Sequence, residues 1–162
     1  MRANSKKPPR GVPPLRIRHA READLVALNV LYRELHGDDY DSYAPSLRAF
    51  RIAWRGLARN RDHHLLVAER GGVIVGTVHL LLFRHLGHGL KPVAIVENVV
   101  VASAMRSQSV GERMMEAAGA IAKAAGCYKL SLTTNVKRPR AHRFYERMGW
   151  RRSHFGYTLA LE

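Results

Sequence analysis

The chain has 162 residues, 46% of them apolar and 25% charged, which suits one domain with a substantial core in an ordinary globular protein. Basic residues outnumber acidic ones by 27 to 13, a net charge of +14. That balance fits an anionic partner (nucleic acid, acidic membrane or a phosphorylated small molecule) or simply a solvated basic surface. The single cysteine, Cys127, excludes a disulfide frame and a thiolate metal cluster and fits a reducing, cytoplasmic setting.

Residues 1–14 are polar, basic and proline-rich, with no apolar core for a secretory signal, and read as a flexible leader. No apolar run approaches the roughly 18 residues of a membrane span. A single domain is expected over 15–162. It opens with a short strand at 15–20, then a helix at 22–36 with Leu25, Leu28, Leu31, Tyr32 and Leu35 at helical spacing, stopped by Gly37. After the link 38–43, Ser46 is a helix cap, and Leu47, Phe50, Trp54 and Leu57 predict a second amphipathic helix ending near Asn60. Two apolar strands, 64–69 and 73–83, joined by Gly71-Gly72, predict a hairpin.

The stretch 94–116 follows the loop 84–92 and holds the strongest signal. A β-branched run through Val99, Val100 and Val101 breaks at 102–104 and becomes a helix after Arg106, with Val110, Met114, Ala117 and Ile121 on one stripe. The turn between them is Arg106-Ser107-Gln108-Ser109-Val110-Gly111. A small-residue turn entering a helix presents free N–H groups and the positive end of the helix dipole to an anion. A strand at 127–133 comes next. Pro139 then starts a helix running to Met148 and ended by Gly149. Phe155, Tyr157, Leu159 and Leu161 alternate, as in a half-buried last strand. The order βααβββαβαβ, without repeats, predicts an α+β fold with one mixed, mostly antiparallel sheet flanked by helices.

This order resembles the GNAT superfamily of N-acetyltransferases over about 15–161. The strand 97–101 followed by residues 106–111 is similar to that family's acetyl-CoA motif. Residues 134–138 and 141–150 (TNVKR and AHRFYERMGW) are similar to its later segments, and 132–161 resembles the end of bacterial aminoalkylphosphonate N-acetyltransferases. The resemblance implies acetyl-CoA as co-substrate, a small-molecule primary amine as acceptor and, as family members often are, a homodimer. With no nucleic-acid signature and no apolar span in the sequence, neither nucleic acid nor membrane is expected as partner. The family pattern has glycine where Ser109 stands. Ser109 with Glu112 also fits a capping box, leaving the N–H groups of Val110 and Gly111 for phosphate. No metal requirement is carried over, because Ile95 stands where an acid could line the site.

Acetyl transfer needs a held thioester, a neutral amine, a donor for the oxyanion and a proton for the thiolate. The backbone of Val99, Val100 and Val101 is the candidate holder of the pantetheine arm, with an N–H near Val99 as oxyanion donor; a plain core strand is the alternative. Residues Arg106 to Gly111 are the candidate pyrophosphate cradle. Glu97 is the candidate base, or a salt-bridged carboxylate near the sheet edge. By alternation it shares a face with Ile95 and Val99, and desolvation there would raise its pKa. Tyr145 is the candidate acid, or a core aromatic. Asn135 either binds cofactor or caps the turn before the next helix. Arg84, His85 and His88, in a loop expected beside the acceptor, either bind an anionic group or are solvated, and His63, His64 and His142 read as structural or surface residues. Alternatives to a small-amine enzyme are an acetyltransferase of a protein N-terminus or lysine, a basic nucleic-acid-binding module, and a CoA-binding protein without activity.

Overall fold

The computed structural model of the chain describes residues 12–37 and 40–161. Most of the expected leader lies outside them, as do Asp38 and Asp39 of the 38–43 link. The elements are β1 (Leu15–His19), α1 (Leu25–His36), α2 (Tyr40–Tyr43), α3 (Leu47–Arg59), β2 (His63–Arg70), β3 (Val73–Phe83), β4 (Val93–Val101), α4 (Val110–Ala124), β5 (Lys129–Leu132) and α5 (Pro139–Arg147). The strands form one sheet in chain order. β1 to β4 are joined antiparallel, and β5 lies parallel to β4.

The local reasons are those the residues dictate. The Ser46 hydroxyl accepts from the Ala49 N–H at 3.2 Å and caps α3. Gly71 and Gly72 sit at φ 59° and 82° between directly paired Arg70 and Val73, the two-residue turn whose left-handed angles match strand twist. Pro139 opens α5, and Gly149 follows it at φ 84°.

Strand alternation divides the core in two. Leu66, Ala68, Val78, Leu80, Ala94 and Val96 pack with Val110, Met114, Met115 and Ala118 of α4. The other face buries Leu65 and Val67 against Leu25 and Leu28 of α1, with Phe50 and Trp54 of α3 laid over them. An ion-pair cluster ties β1 to this layer: Arg18 meets Asp24 through both carboxylate oxygens at 2.7 and 2.9 Å and Glu69 at 2.7 Å. The Arg18 hydrogen bonds hold the Asp24 carboxyl below the usual carboxylate range, against the opposing effect of burial.

One irregularity positions the site. Thr77 pairs with Val100 and His79 with Glu97, so Asn98 and Val99 together face the single residue Val78. This is a β-bulge, with Asn98 in the left-handed region at φ 52°. The bulge breaks the alternation expected through this stretch. Glu97 keeps the face of Ile95, but Val99 turns to the α4 side and packs there.

The last expected strand is not formed. Residues 151–161 have no regular structure, and Phe155, Tyr157, Leu159 and Leu161 are each at least 84% exposed. The fold class is as expected; the sheet has five strands.

Candidate active site

The β4–β5 ladder ends at Val96 and Leu132. Beyond that pair the bulge turns β4 aside, β5 runs into its loop, and the two chains part. A cavity of about 190 Å³ lies in the gap. Val96, Glu97, Asn98 and Val99 form one wall, Leu132 to Asn135 the other, with Arg138, Ala141 and Tyr145 of the α5 region and Leu35 and His36 of α1 around them. Parted parallel strands leave the backbone groups of each inner edge free to pair with an extended ligand. The strand ends thus bring Glu97, Val99, Asn135 and Tyr145 together.

Tyr145 is half-buried, its ring edge-on to Phe144 and tilted against Trp150. Burial pushes its phenol up to about 12, with Arg138 lowering and the Glu97 charge adding to the rise. The phenol is therefore protonated at neutral pH. Glu97 is solvent-exposed, so the desolvation expected from its strand neighbours is absent in the chain alone. The bulge removes Val99 from its side, leaving the carboxylate facing open space.

The turn before α4 has an unusual backbone. Ser107 and Ser109 sit at φ 61° and 57°, left-handed angles that cost a residue with a Cβ roughly 1–2 kcal/mol. The Ser109 side chain makes no cap hydrogen bond, and Glu112 pairs with Arg147 instead at 3.3 Å. The expected capping box is therefore absent, because in the left-handed conformation Ser109 does not hold its hydroxyl against the helix end. The N–H groups of Val110, Gly111 and Glu112 take no acceptor from the described residues, so the helix end is free for an anion. Arg106 donates to the Val101 carbonyl at 3.3 Å, and Gln108 accepts from Arg70 at 2.6 Å. Gly111 has a packing role as well. A Cβ there would lie 3.0 Å from Cζ of Phe144.

The acetyltransferase (GNAT) family matches residues 27–150. The chain belongs to this family. It is 33% identical over 150 residues, 93% of its length and 94% of the relative's, to an aminoalkylphosphonate N-acetyltransferase of Salmonella typhimurium. Its fold is similar to that of a putative acetyltransferase from Agrobacterium tumefaciens (29% identity, TM-score 0.82, 90% of this chain and 99% of that one). It also shares the fold of a glucosamine-6-phosphate N-acetyltransferase from Arabidopsis thaliana (21% identity, TM-score 0.80, 92% and 99% covered). The chain is thus an N-acetyltransferase that takes its acetyl group from acetyl-CoA. The free N–H groups at α4 and the open edge of β4 fit that donor's pyrophosphate and amide-bearing arm.

In this acetyltransferase the Asn135 side chain accepts from the Lys137 N–H at 2.8 Å, and its carbonyl accepts from Arg138 N and from His142 Nε2, each at 3.0 Å. It therefore closes the turn before α5 while lining the cavity. Arg84, His85 and His88 are not at the cavity. The loop 84–92 lies at the opposite end of β4, where His88 stacks on Tyr128 at 4.2 Å and Arg84 pairs with Asp62. The reason is strand length: β4 carries the chain four residues from Val93 to Glu97, about 13 Å at the rise of an extended strand. Cys127 is half-buried against the α4 core, and burial pushes its thiol up, as suits a small apolar residue. No group of three or more His, Cys, Asp or Glu among the described residues could hold a metal ion, and no helix there is long and apolar enough to cross a membrane.

Two lining side chains escape the sequence patterns. Arg138 donates to the Leu35 carbonyl at 2.7 Å, tying the end of α1 to the start of α5. His36 stacks on Tyr40 at 5.7 Å. Arg138 sits inside the TNVKR segment, but nothing in the sequence says that its partner is 103 residues away.

Proposed function

We propose that the chain acetylates the primary amine of a small anionic molecule of the aminoalkylphosphonate type, by direct attack while both substrates are bound. The observation that carries this reading is that Glu97 and Tyr145 line one cavity at the parting of β4 and β5. Support for a small acceptor comes from the cavity's volume of about 190 Å³. Support for an anionic one comes from Arg138 and His36 in its lining and from the Salmonella relative's name.

Acetyl-CoA supplies the activated acetyl group as a thioester. Glu97 takes a proton from the incoming ammonium, directly or through a water, and Tyr145, protonated to high pH, gives one to the departing thiolate. The Val99 N–H, outside the regular ladder, is the donor toward the thioester oxygen. Arg106 to Gly111 hold the pyrophosphate, and holding both substrates in line supplies much of the rate. The protein works as a homodimer in the reducing cytoplasm, which light scattering and fractionation test.

The test is a panel of amines with acetyl-CoA: aminoalkylphosphonates, amino sugars, polyamines and peptides. Aminoalkylphosphonates should turn over fastest; preference for a peptide would sink the small-acceptor reading. Glu97→Gln and Tyr145→Phe should each cut kcat by on the order of 10²-fold, with acetyl-CoA affinity retained in calorimetry. If both keep wild-type turnover, the assigned roles are wrong.

A further inference from the structure

A stoichiometric remainder points to the sheet behind Glu97. An amine arrives as an ammonium, and its reaction with a thioester gives an amide, a thiol and one proton left over. That proton must leave the site in every turnover. In the chain alone Glu97 is exposed and can pass it to solvent. Acetyl donor and acceptor filling the cavity that Glu97 lines would cover that open side.

Directly across the ladder from Glu97 stands His79 of β3. Directly opposed residues of antiparallel strands project to the same face, with Cβ atoms about 4.5–5.5 Å apart. His79 Nε2 is 2.9 Å from Nδ1 of His63 on β2, with ring centroids 5.1 Å apart. His63 lies next to the loop carrying Asp62, near the outer end of the sheet, and both rings are half-buried. Three titratable side chains on three adjacent strands thus form a row from the cavity wall outward.

We propose that His79 and His63 relay the surplus proton from Glu97 to solvent during turnover, an inference that rests on Glu97 being the base. The carboxylate passes the proton to His79 Nδ1, directly or through one water. His79 releases its Nε2 proton to His63 Nδ1, and His63 releases its Nε2 proton to water. One proton enters the row and one leaves, so each ring ends neutral with its tautomer exchanged, and exchange of the ring protons with water restores both tautomers before the next turnover.

The surroundings favour neutral rings able to accept. Burial lowers the His79 pKa, and the charges of His63 and His64 lower it further. α1 covers this face and carries Tyr32, Arg33, Glu34 and His36 in its last turns. Burial holds the Tyr32 phenol at about 12, Arg33 is paired with Asp41, Glu34 accepts from the Ser103 N–H, and His36 stacks on Tyr40. The second histidine pair, His19 and His64 at 3.1 Å, is on the other face of the sheet and takes no part.

The experiment compares wild type, His79→Gln, His63→Gln and Glu97→Gln in full-length chain with acetyl-CoA and aminomethylphosphonate. His79→Gln should lower kcat at pH 7 by on the order of 10-fold or more and leave KM for acetyl-CoA unchanged. Its pH profile should change shape, and added imidazole should restore part of the rate. His63→Gln should do the same more weakly. Loss of kcat with an unchanged profile and no imidazole rescue means a structural role and overturns the relay. If Glu97→Gln is impaired but His79→Gln is not, the relay alone is wrong; if Glu97→Gln is unimpaired, or wild type is inactive, the reading of Glu97 falls and the relay with it. Histidine titration by NMR needs no amine. Glu97→Gln should move the His79 titration to lower pH, and an unmoved titration also overturns the row.

Discussion

The hairpin between β2 and β3 and the edge of the cavity use the same left-handed backbone and fill it differently. At the hairpin the residues are Gly71 and Gly72, at φ 59° and 82°. In the cavity wall and in the turn before α4 they are Asn98 and Ser107 and Ser109, at φ 52°, 61° and 57°. Glycine takes these angles without steric cost, whereas a residue with a Cβ is held there by its surroundings. The hairpin is a turn the chain would make unaided. The cavity's edge is held by the rest of the fold, as strained backbone at functional sites is. What the strain secures is geometry: a parted pair of strands and an uncapped helix end.

The largest break in this comparison is deletion of Asn98. One residue fewer gives Val78 a single opposite partner, Val99, and keeps Glu97 and Val100 on the faces they already occupy. The sheet should then close regularly, with a melting temperature no lower than wild type. The parting of β4 from β5 should be lost, and acetyl-CoA affinity should fall on the order of 10²-fold by calorimetry, about 2.7 kcal/mol. Wild-type affinity in a folded deletion variant would mean that the bulge does not make the site.

Gly111→Ala comes next and separates packing from left-handed backbone. Gly111 has an ordinary helical φ, but its Cβ would sit 3.0 Å from Cζ and 3.2 Å from Cε2 of Phe144. Overpacking of this kind costs roughly 1–3 kcal/mol and would push α5, and Tyr145 with it, away from the cavity. We expect a lower melting temperature together with reduced kcat. Loss of stability with kcat intact would show that Phe144 yields without moving Tyr145.

Gly72→Ala is the matching test at the hairpin. Nothing lies within 4 Å of the added Cβ, so the cost is backbone strain alone, about 1–2 kcal/mol. Thermal unfolding should drop by roughly 2–8 °C, with kcat and KM unchanged. A change in kinetics would contradict the separation of the two regions.

The same contrast explains what the sequence made legible. Gly71-Gly72, Ser46 and the Pro139–Gly149 bracket are local chemistry, and each did what its residue type dictates. The turn at 106–111 was legible as a break between strand and helix. Asn98 was not legible as a bulge, because Glu-Asn-Val-Val-Val reads as unbroken strand and the extra residue shows only against Val78 of β3. The face assigned to Val99 and the desolvation assigned to Glu97 failed for that one reason. The loop histidines lie away from the cavity for another reason: proximity in sequence to β4 says nothing about which end of a nine-residue strand borders the cavity. The alternation at 155–161 is real, but a strand needs a partner edge, and in this structure the segment pairs with none.

The smallest effect belongs to Ser109→Gly, which makes the turn before α4 resemble the hairpin. Ser109 is left-handed at φ 57° and its hydroxyl makes no cap bond, so replacement loses no contact and relieves the strain. Against that, glycine frees the unfolded chain by roughly 0.5–1 kcal/mol, and the net change should be under about 1 kcal/mol of stabilisation. Removal of the Cβ also lets the pyrophosphate approach the N–H groups of Val110 and Gly111 more closely, so acetyl-CoA should bind a few-fold more tightly, about 0.7 kcal/mol. Calorimetry on the two proteins decides it. Weaker binding by the glycine variant would mean that the Ser109 hydroxyl is itself a ligand to the phosphate, and that serine stands here for its oxygen despite the backbone cost.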